Sequence, residues 1–165
     1  MWYKVIKDNN NVKIEEILKD NNIKINGISR NIYGKPFLID SSTKYNLSHS
    51  NGVRVIIISD CEVGIDIEFC RELEYVTIAQ TFFCNSEYEY IKNSKDIQKA
   101  FFRIWTLKEA YLKMNGIGLT RRLNSFSVMN FLRGEQVIYF EGKYIYINHY
   151  SLNDIFYLAY LIWLK

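Results

Sequence analysis

The sequence has few of the residues that metal centres and disulfide frameworks usually require. Two histidines and three cysteines occur in 165 residues. Cys61, Cys70 and Cys84 are odd in number and match no metal-ligand spacing, so we expect reduced thiols in a cytoplasmic protein rather than a zinc site. Proline occurs once, at Pro36, and no repeat or low-complexity linker interrupts the chain. These absences predict one domain, or two small lobes that share a core.

Long apolar runs and a strong excess of one charge are also missing. The longest apolar run, residues 155–164, is half the length that a helix needs to cross a bilayer. The N-terminal residues lack the apolar segment of a secretory signal. A net charge of +3 fits an anionic ligand but does not require nucleic acid or a membrane surface. We therefore expect a cytoplasmic protein with no nucleic-acid or membrane partner.

Residues 101–119 have the pattern of a long helix with a buried face. Ser94 or Asp96 predicts its start, and Asn115-Gly116 predicts its end. Glu109 and Lys113 are four residues apart, so their side chains leave the same face one turn apart. Two interpretations of this pair stay open, a solvated ion pair and part of a functional site. The core-facing stripe consists of residues at helical spacing: Ile104, Leu107, Tyr111 and Met114.

A pair of β-branched segments predicts buried strands at Val53–Ser59 and Val63–Phe69. The short polar link between them predicts that they form a hairpin. On the second strand, Asp66 and Glu68 are two residues apart, so both carboxylates leave the same face about 7 Å apart. The isoleucines beside them take the opposite face and anchor the strand in the core.

The rest of the chain alternates short helices and strands. Ser86 and Glu89 have the spacing of a capping box that opens a helix, which leaves Glu87 as the freer carboxylate. Further helices are predicted at residues 12–20 and 76–83, short strands at residues 1–6 and 37–39, and a segment that ends in a turn at residues 45–52. Four strand-like segments after the long helix predict an antiparallel meander: residues 125–129, 136–140, 143–148 and 155–162.

Three carboxylates suggest a site for a hard cation. Asp66 and Glu68 on one strand face, with Glu109 from the helix, offer the oxygen ligands that Mg²⁺ prefers. Lys108 or Lys113 would add a second positive contact beside the metal. Such a site suits a pyrophosphate, because the metal neutralises charge that develops on a leaving phosphate.

Two other chemistries are less well supported. Ser48, His49 and Asp66 do not make a hydrolase triad, because adjacent residues of an extended strand face opposite sides and no nucleophile elbow is present. A Mg²⁺-dependent nuclease or phosphatase stays an alternative. Such nucleases often carry a lysine two positions after the second acidic residue. Here Glu68 is followed at that position by Cys70, which argues against a nuclease.

The motifs together resemble one family, the 4'-phosphopantetheinyl transferases, and within it the surfactin-synthetase-activating type. The resemblance covers residues 30–130 well and implies an α+β fold of two pseudo-twofold-related α/β lobes with antiparallel sheets. It implies one domain over residues 1–165, with an abbreviated first lobe at 1–59 and a second lobe at 60–165. The motifs are Gly-Lys-Pro at 34–36, Asn-Leu-Ser-His-Ser at 46–50, Val-Gly-Ile-Asp-Ile-Glu at 63–68, Trp-Thr-Leu-Lys-Glu-Ala at 105–110 with Lys113, and Gly-Ile-Gly-Leu at 116–119.

The activity that this resemblance implies is that of a holo-[acyl-carrier-protein] synthase. Such an enzyme transfers 4'-phosphopantetheine from coenzyme A to a serine of an apo acyl or peptidyl carrier protein and releases adenosine 3',5'-bisphosphate. Its cofactor is Mg²⁺, its partners are coenzyme A and the carrier protein, and a monomer or weak homodimer is expected. An inactive homologue that binds coenzyme A or a carrier protein stays the alternative.

The resemblance also implies roles for individual residues. Relatives of this type are longer, and only about 33 residues precede Gly34, so Lys24, Arg30 or Lys44 would replace missing basic contacts to the 3'-phosphate. Matched by position, the roles are as follows: Asp66, Glu68 and Glu109 hold Mg²⁺ against the pyrophosphate, Lys113 and Lys108 contact the coenzyme, Ser48 and His49 lie near the 3'-phosphate, Lys35 lies along the adenine, and Glu87 acts as a base beside the catalytic Glu109 and Lys113.

Overall fold

The structure is a computed structural model that describes residues 3–8 and 12–164. It contains helices and antiparallel sheets, so the predicted α+β class is confirmed. The helices are α1 (Ile14–Asp20), α2 (Tyr75–Phe82), α3 (Asn85–Lys92) and α4 (Ile97–Asn115). The strands are β1 (Tyr3–Asp8), β2 (Ile28–Arg30), β3 (Pro36–Leu38), β4 (Lys44–Ser50), β5 (Val53–Ser59), β6 (Val63–Phe69), β7 (Val137–Phe140), β8 (Lys143–Leu152) and β9 (Phe156–Leu164). Met1 and Trp2, in the first predicted strand, lie outside the described residues.

Local signals fix both ends of α4 as the sequence predicts. The Oδ1 atom of Asp96 accepts a hydrogen bond of 2.9 Å from the backbone N–H of Lys99 and so caps the first turn. Gly116 ends the helix in the left-handed region at φ 68°. A residue without Cβ adopts that conformation at little cost.

The predicted hairpin between β5 and β6 is wrong. β5 pairs with β1 and β4 in a three-stranded sheet, whereas β6 pairs with β9 at the edge of a four-stranded sheet. Both faces of β5 are apolar, so each face needs a packing layer. One face packs on the Ile65 side of β6, and the other covers α1, so the two strands stack instead of pairing. The chain changes sheet between Ser59 and Val63.

The predicted meander is confirmed for three of its four segments. β7, β8 and β9 pair in sequence order and antiparallel, and β6 joins the free side of β9. The first predicted segment, residues 125–129, is wrong. Short 3-10 helices at Leu123–Ser125 and Met129–Leu132 flank it, and its apolar side chains pack on the α4 side of the sheet.

Gly64 allows α4 to lie directly on β6. A Cβ atom at this position would be 2.0 Å from the carbonyl oxygen of Ala110 and 2.4 Å from the backbone N of Met114. No side chain fits at those distances, because both neighbours are backbone atoms. The close approach brings the Glu109–Lys113 face of the helix beside the carboxylates of β6.

Cys61, Cys70 and Cys84 form no disulfide bond among the described residues. Within residues 3–8 and 12–164, no helix is both long enough and apolar enough to cross a bilayer.

Candidate functional site

Asp66 lies at the centre of a polar cluster between the three-stranded sheet and the four-stranded sheet. Its side chain is 4% exposed. Oδ1 accepts hydrogen bonds from the Ser48 hydroxyl at 2.9 Å and from the Lys113 ammonium at 2.6 Å. The same ammonium also donates to Ser48 Oγ at 2.9 Å. Oδ2 is buried and has no hydrogen-bond partner among the described residues, so half of this carboxylate is unsatisfied.

Side chains of β4 accept hydrogen bonds from the backbone at the outer edge of β6. Asn46, Ser48 and Ser50 alternate along β4 and point the same way, as residues two apart on a strand do. The backbone N–H of Ile65 donates to Asn46 Oδ1 at 3.1 Å, and that of Phe69 donates to Ser50 Oγ at 2.9 Å. This strand is not among the elements predicted from the sequence, although its polar residues at alternate positions are a signal for it.

Two further carboxylates lie near Asp66. Glu68 Oε2 is 3.3 Å from Ser50 Oγ and 3.2 Å from Arg71 Nη1. Burial is the main cause and the negative charge of Asp66 the second cause that raises the pKa of Glu109 to about 7. Burial likewise raises the pKa of Asp66 to about 6, against the opposing charge of Lys113. The three acidic groups therefore interact electrostatically.

The carboxylate oxygens of Asp66, Glu68 and Glu109 suit a hard cation, but these side chains are not arranged around one in the structure. Carboxylate oxygens are the ligands that Mg²⁺ prefers, and the unpartnered Oδ2 of Asp66 is an open acceptor. However, no group of three acidic, histidine or cysteine side chains among the described residues is arranged to hold a metal. Lys113 and Arg71 pair with Asp66 and Glu68 instead. A cation at these carboxylates would compete with both basic groups.

Glu87 and Lys108 lie in the core and pair with each other. Both side chains are 0% exposed, and their charged atoms are 2.9 Å apart. Glu87 also accepts from the backbone N–H groups of Cys84 and Val128 at 3.0 and 2.8 Å. Burial lowers the pKa of Lys108, which the Glu87 charge opposes. The structure does not bring this pair to the Asp66 cluster.

The position of Glu87 corrects the predicted capping box. The helix begins after Cys84, and Glu87 is its third residue, where its carboxylate closes the box on the Cys84 N–H. The predicted box of Ser86 and Glu89 is therefore wrong, and so is the view that Glu87 is the freer carboxylate. Glu89 is exposed instead.

The predicted nucleotide-binding residues occupy different environments. The Lys35 ammonium is bound to Glu62 Oε2 and to the carbonyl oxygen of Met114, each at 2.8 Å. Burial lowers the pKa of Lys35, which its hydrogen bond to Glu62 opposes. His49 is exposed on the opposite face of β4 from Ser48.

The suggested replacement cations are not gathered at one place. Lys44 Nζ lies 3.5 Å from Glu62 Oε1. Arg30 Nη1 donates to the carbonyl oxygen of Gly34 at 2.8 Å, within the turn between β2 and β3. Lys24 is exposed. None of these three groups hydrogen-bonds Asp66 among the contacts of the described residues.

Two cavities flank the cluster. A cavity of about 710 Å³ is lined by Glu109, by the aromatic rings of α4 and by Arg71, Arg121 and Arg122. A smaller one of about 250 Å³ is lined by Lys113 and Lys35 and by the turn between β2 and β3. Glu109 lines the larger cavity and Lys113 lines the smaller one, and the two residues are one turn apart on α4.

Comparison with known proteins gives relatives in one family. The 4'-phosphopantetheinyl transferase gsp of Aneurinibacillus migulanus is 38% identical over 116 residues, which cover 69% of this chain and 48% of that protein. The 4'-phosphopantetheinyl transferase Sfp of Bacillus subtilis (strain 168) is 36% identical over 99 residues, covering 58% and 44%. The chain thus spans about half the length of the curated relatives it matches.

Solved structures and family profiles give two further matches. The holo-[acyl-carrier-protein] synthase of Thermotoga maritima is 19% identical, with a TM-score of 0.43 over 64% of each chain. The profile of the 4'-phosphopantetheinyl transferase superfamily matches residues 62–156, more than half of the chain, and includes α4 and β6. The resemblance seen in the sequence motifs is confirmed, and this protein belongs to the 4'-phosphopantetheinyl transferase superfamily.

Proposed function

We propose that this protein transfers 4'-phosphopantetheine from coenzyme A to a serine of an apo carrier protein, in a Mg²⁺-dependent reaction that releases adenosine 3',5'-bisphosphate. The observation that carries the proposal is the polar cluster around Asp66, in which a buried carboxylate with an open oxygen lies beside Lys113. The superfamily membership supplies the reaction class. The lobes would be residues 1–59 and 60–165, with the cluster between their sheets.

The coenzyme would extend along the two flanking cavities. Its nucleotide would occupy the smaller cavity, where Lys113 and Lys35 supply positive charge. Its pantetheine arm would enter the larger cavity, whose floor is formed by apolar side chains of α4. The pyrophosphate between them would then lie against the carboxylates of β6 and α4. Ser48 would keep its place beside Lys113, whereas His49 is exposed at the rim of β4.

Asp66, Glu68 and Glu109 would hold Mg²⁺, which supplies positive charge against the pyrophosphate when bound. Lys113, which hydrogen-bonds Asp66 in the structure, would then donate to a phosphate oxygen and stabilise the charge that builds up there.

The proposed reaction forms one phosphorus–oxygen bond and breaks another. The serine oxygen of the carrier attacks the phosphorus that bears the pantetheine, and the bridging oxygen leaves with adenosine 3',5'-bisphosphate. The serine proton goes to a carboxylate oxygen of the cluster. Glu109 lines the larger cavity, so we assign the proton to the oxygen of its carboxylate that does not hold the metal. Glu87 is engaged with Lys108 and two backbone N–H groups, so we assign it no role as a base.

The experiment is intact mass spectrometry of apo acyl and peptidyl carrier proteins incubated with this protein, coenzyme A and Mg²⁺. We expect a gain of about 340 Da, the mass of one phosphopantetheine, that EDTA abolishes. A carrier whose acceptor serine is replaced by alanine is the control. If coenzyme A binds but no carrier gains mass, the protein is a binding homologue, and the proposed transfer is wrong.

A further inference from the structure

Asn31 shapes the turn between β2 and β3 through both its backbone and its side chain. Its Oδ1 atom accepts hydrogen bonds from the backbone N–H groups of Tyr33 at 3.0 Å and Lys35 at 2.9 Å. Its own carbonyl oxygen accepts from the Gly34 N–H at 2.9 Å. A side-chain oxygen that binds N–H groups further along the chain is how asparagine commonly stabilises a turn.

The same amide also ties this turn to the end of α4. Its Nδ2 atom donates to the carbonyl oxygen of Gly116 at 2.7 Å, across 85 residues of sequence. Gly116 is in close contact with the turn, since a Cβ there would be 2.9 Å from the Lys35 Cδ atom and 3.1 Å from Asn31 Nδ2. The Lys35 ammonium donates to the carbonyl oxygen of Met114, two residues before Gly116. The turn therefore binds orphan carbonyl groups at the helix C-terminus.

These contacts define the geometry of the smaller cavity. One wall is the turn with Gly34 and Lys35, and the opposite wall is α4 with Lys113. Lys113 lies in the last turn of α4, three residues before Gly116. Asn31 thus fixes the spacing between the turn and Lys113, without hydrogen-bonding either Asp66 or Glu109.

We propose that Asn31 is a positioning residue for the coenzyme, because its amide holds the β2–β3 turn at a fixed distance from Lys113. The inference rests on the proposed function and deepens it, since it assigns coenzyme affinity to a residue outside the carboxylate cluster. Loss of the amide lets the wall of the cavity move, which weakens nucleotide binding. The carboxylates and Lys113 keep their places, so the transfer step is unaffected once coenzyme A is bound.

The Asn31→Asp variant separates the two halves of the amide. Aspartate keeps the oxygen that accepts from the turn but cannot donate to Gly116, and it sets a negative charge against that carbonyl. Ile32→Ala is the matched control, because the Ile32 side chain lies in the same turn and is 90% exposed. We expect Asn31→Asp to raise the Kd and KM for coenzyme A about tenfold, with kcat at saturating coenzyme A within about twofold of the wild type. Ile32→Ala should change neither.

The outcomes distinguish this inference from the proposed function. If the wild-type protein neither binds coenzyme A nor modifies a carrier, the proposed function fails, and this inference fails with it. If the wild type is active and Asn31→Asp leaves Kd and KM unchanged, only the role of Asn31 is overturned. A fall in kcat with unchanged KM also overturns it, because the residue would then affect the chemical step.

Hydrogen exchange tests the underlying contact without any ligand. Asn31→Asp should speed exchange of the amides at residues 114–118 relative to Ile32→Ala, since the helix end loses its partner. Unchanged exchange at these amides would contradict a stabilising contact between Asn31 and Gly116. If Asn31→Asp does not fold, Asn31→Ser makes the same test, because a serine hydroxyl supports the turn but is too short to reach Gly116.

Discussion

The Lys113 ammonium lies 2.6 Å from Oδ1 of Asp66, although 47 positions separate the two residues in sequence. The lysine compensates the charge of a buried carboxylate at one oxygen, while Oδ2 has no hydrogen-bond partner among the described residues. Asp66 therefore has one oxygen paired with a basic group and one that can accept a further ligand.

Replacing a carboxylate of the cluster should stop transfer without unfolding the chain. We expect Glu109→Gln to lower kcat by about 100-fold or more, because the amide cannot ligate Mg²⁺ with a negative charge. Thermal unfolding should change little, since burial already disfavours the charged form of Glu109. Glu72→Gln, at an exposed position of the segment between β6 and α2, is the control and should retain full activity. If Glu109→Gln turned over at the wild-type rate, the assignment of Glu109 to the active site would be wrong.

Mg²⁺ binding should weaken as the pH falls. The pKa values of Asp66 and Glu109 are about 6 and about 7, and protonated carboxyls do not ligate the metal. We expect the affinity, measured by calorimetry, to drop about tenfold or more between about pH 8 and about pH 5.5. An affinity that does not change over this range would contradict the assignment of these ligands.

The same shifts set the direction of the stability change in the metal-free protein. Both folded-state pKa values lie above those of the unfolded chain, so the folded protein binds protons more tightly and its free energy of unfolding falls as pH rises from about 4.5 to about 7. Added Mg²⁺ should therefore raise the Tm more at pH 8 than at pH 6. An equal gain at both values would mean that the metal binds elsewhere.

The sequence predicted some parts of this site and could not predict others. Asp66 and Glu68 were placed on one strand face, and Asp96 was one of the two predicted helix starts, because alternation and capping depend on neighbours in sequence. The pairing of β6 with β9 was missed, since strand pairing over 90 residues depends on which faces need burial. Glu87 was misjudged for a similar reason: its partner Lys108 and the backbone of Val128 are distant in sequence.

Breaking the Glu87–Lys108 pair should cost stability rather than catalysis. Glu87→Gln leaves the Lys108 ammonium buried without a counter-charge, so we expect the free energy of unfolding to fall by about 3–5 kcal/mol in urea titrations. The double variant Glu87→Gln/Lys108→Met should recover part of that loss. Glu89→Gln is the matched control on the exposed side of α3. Glu87 would act as a base if Glu87→Gln kept its stability and lost kcat.

Gly64 should not tolerate even one added methyl group. A Cβ there meets the backbone of α4 at 2.0 and 2.4 Å, so Gly64→Ala must push the helix away from β6. We expect destabilisation of about 3 kcal/mol or more, since the obstruction cannot rotate away. Gly52→Ala provides the comparison, because a Cβ there meets no atom within 4 Å and only the backbone conformation at φ 76° is strained. Equal losses for both would mean that the helix does not rest on this strand.

The side chains of β4 have a second consequence for β6. β6 is the outermost strand of its sheet, and an outermost strand with free N–H groups is a template on which another chain can pair and aggregate. Asn46 and Ser50 occupy two of those N–H groups with side-chain oxygens instead of a neighbouring backbone. The contact of β4 with β6 thus covers part of the edge that carries the carboxylates, and it does so without extending the sheet. We therefore expect apolar residues of similar size in place of Asn46 and Ser50 to favour self-association through β6.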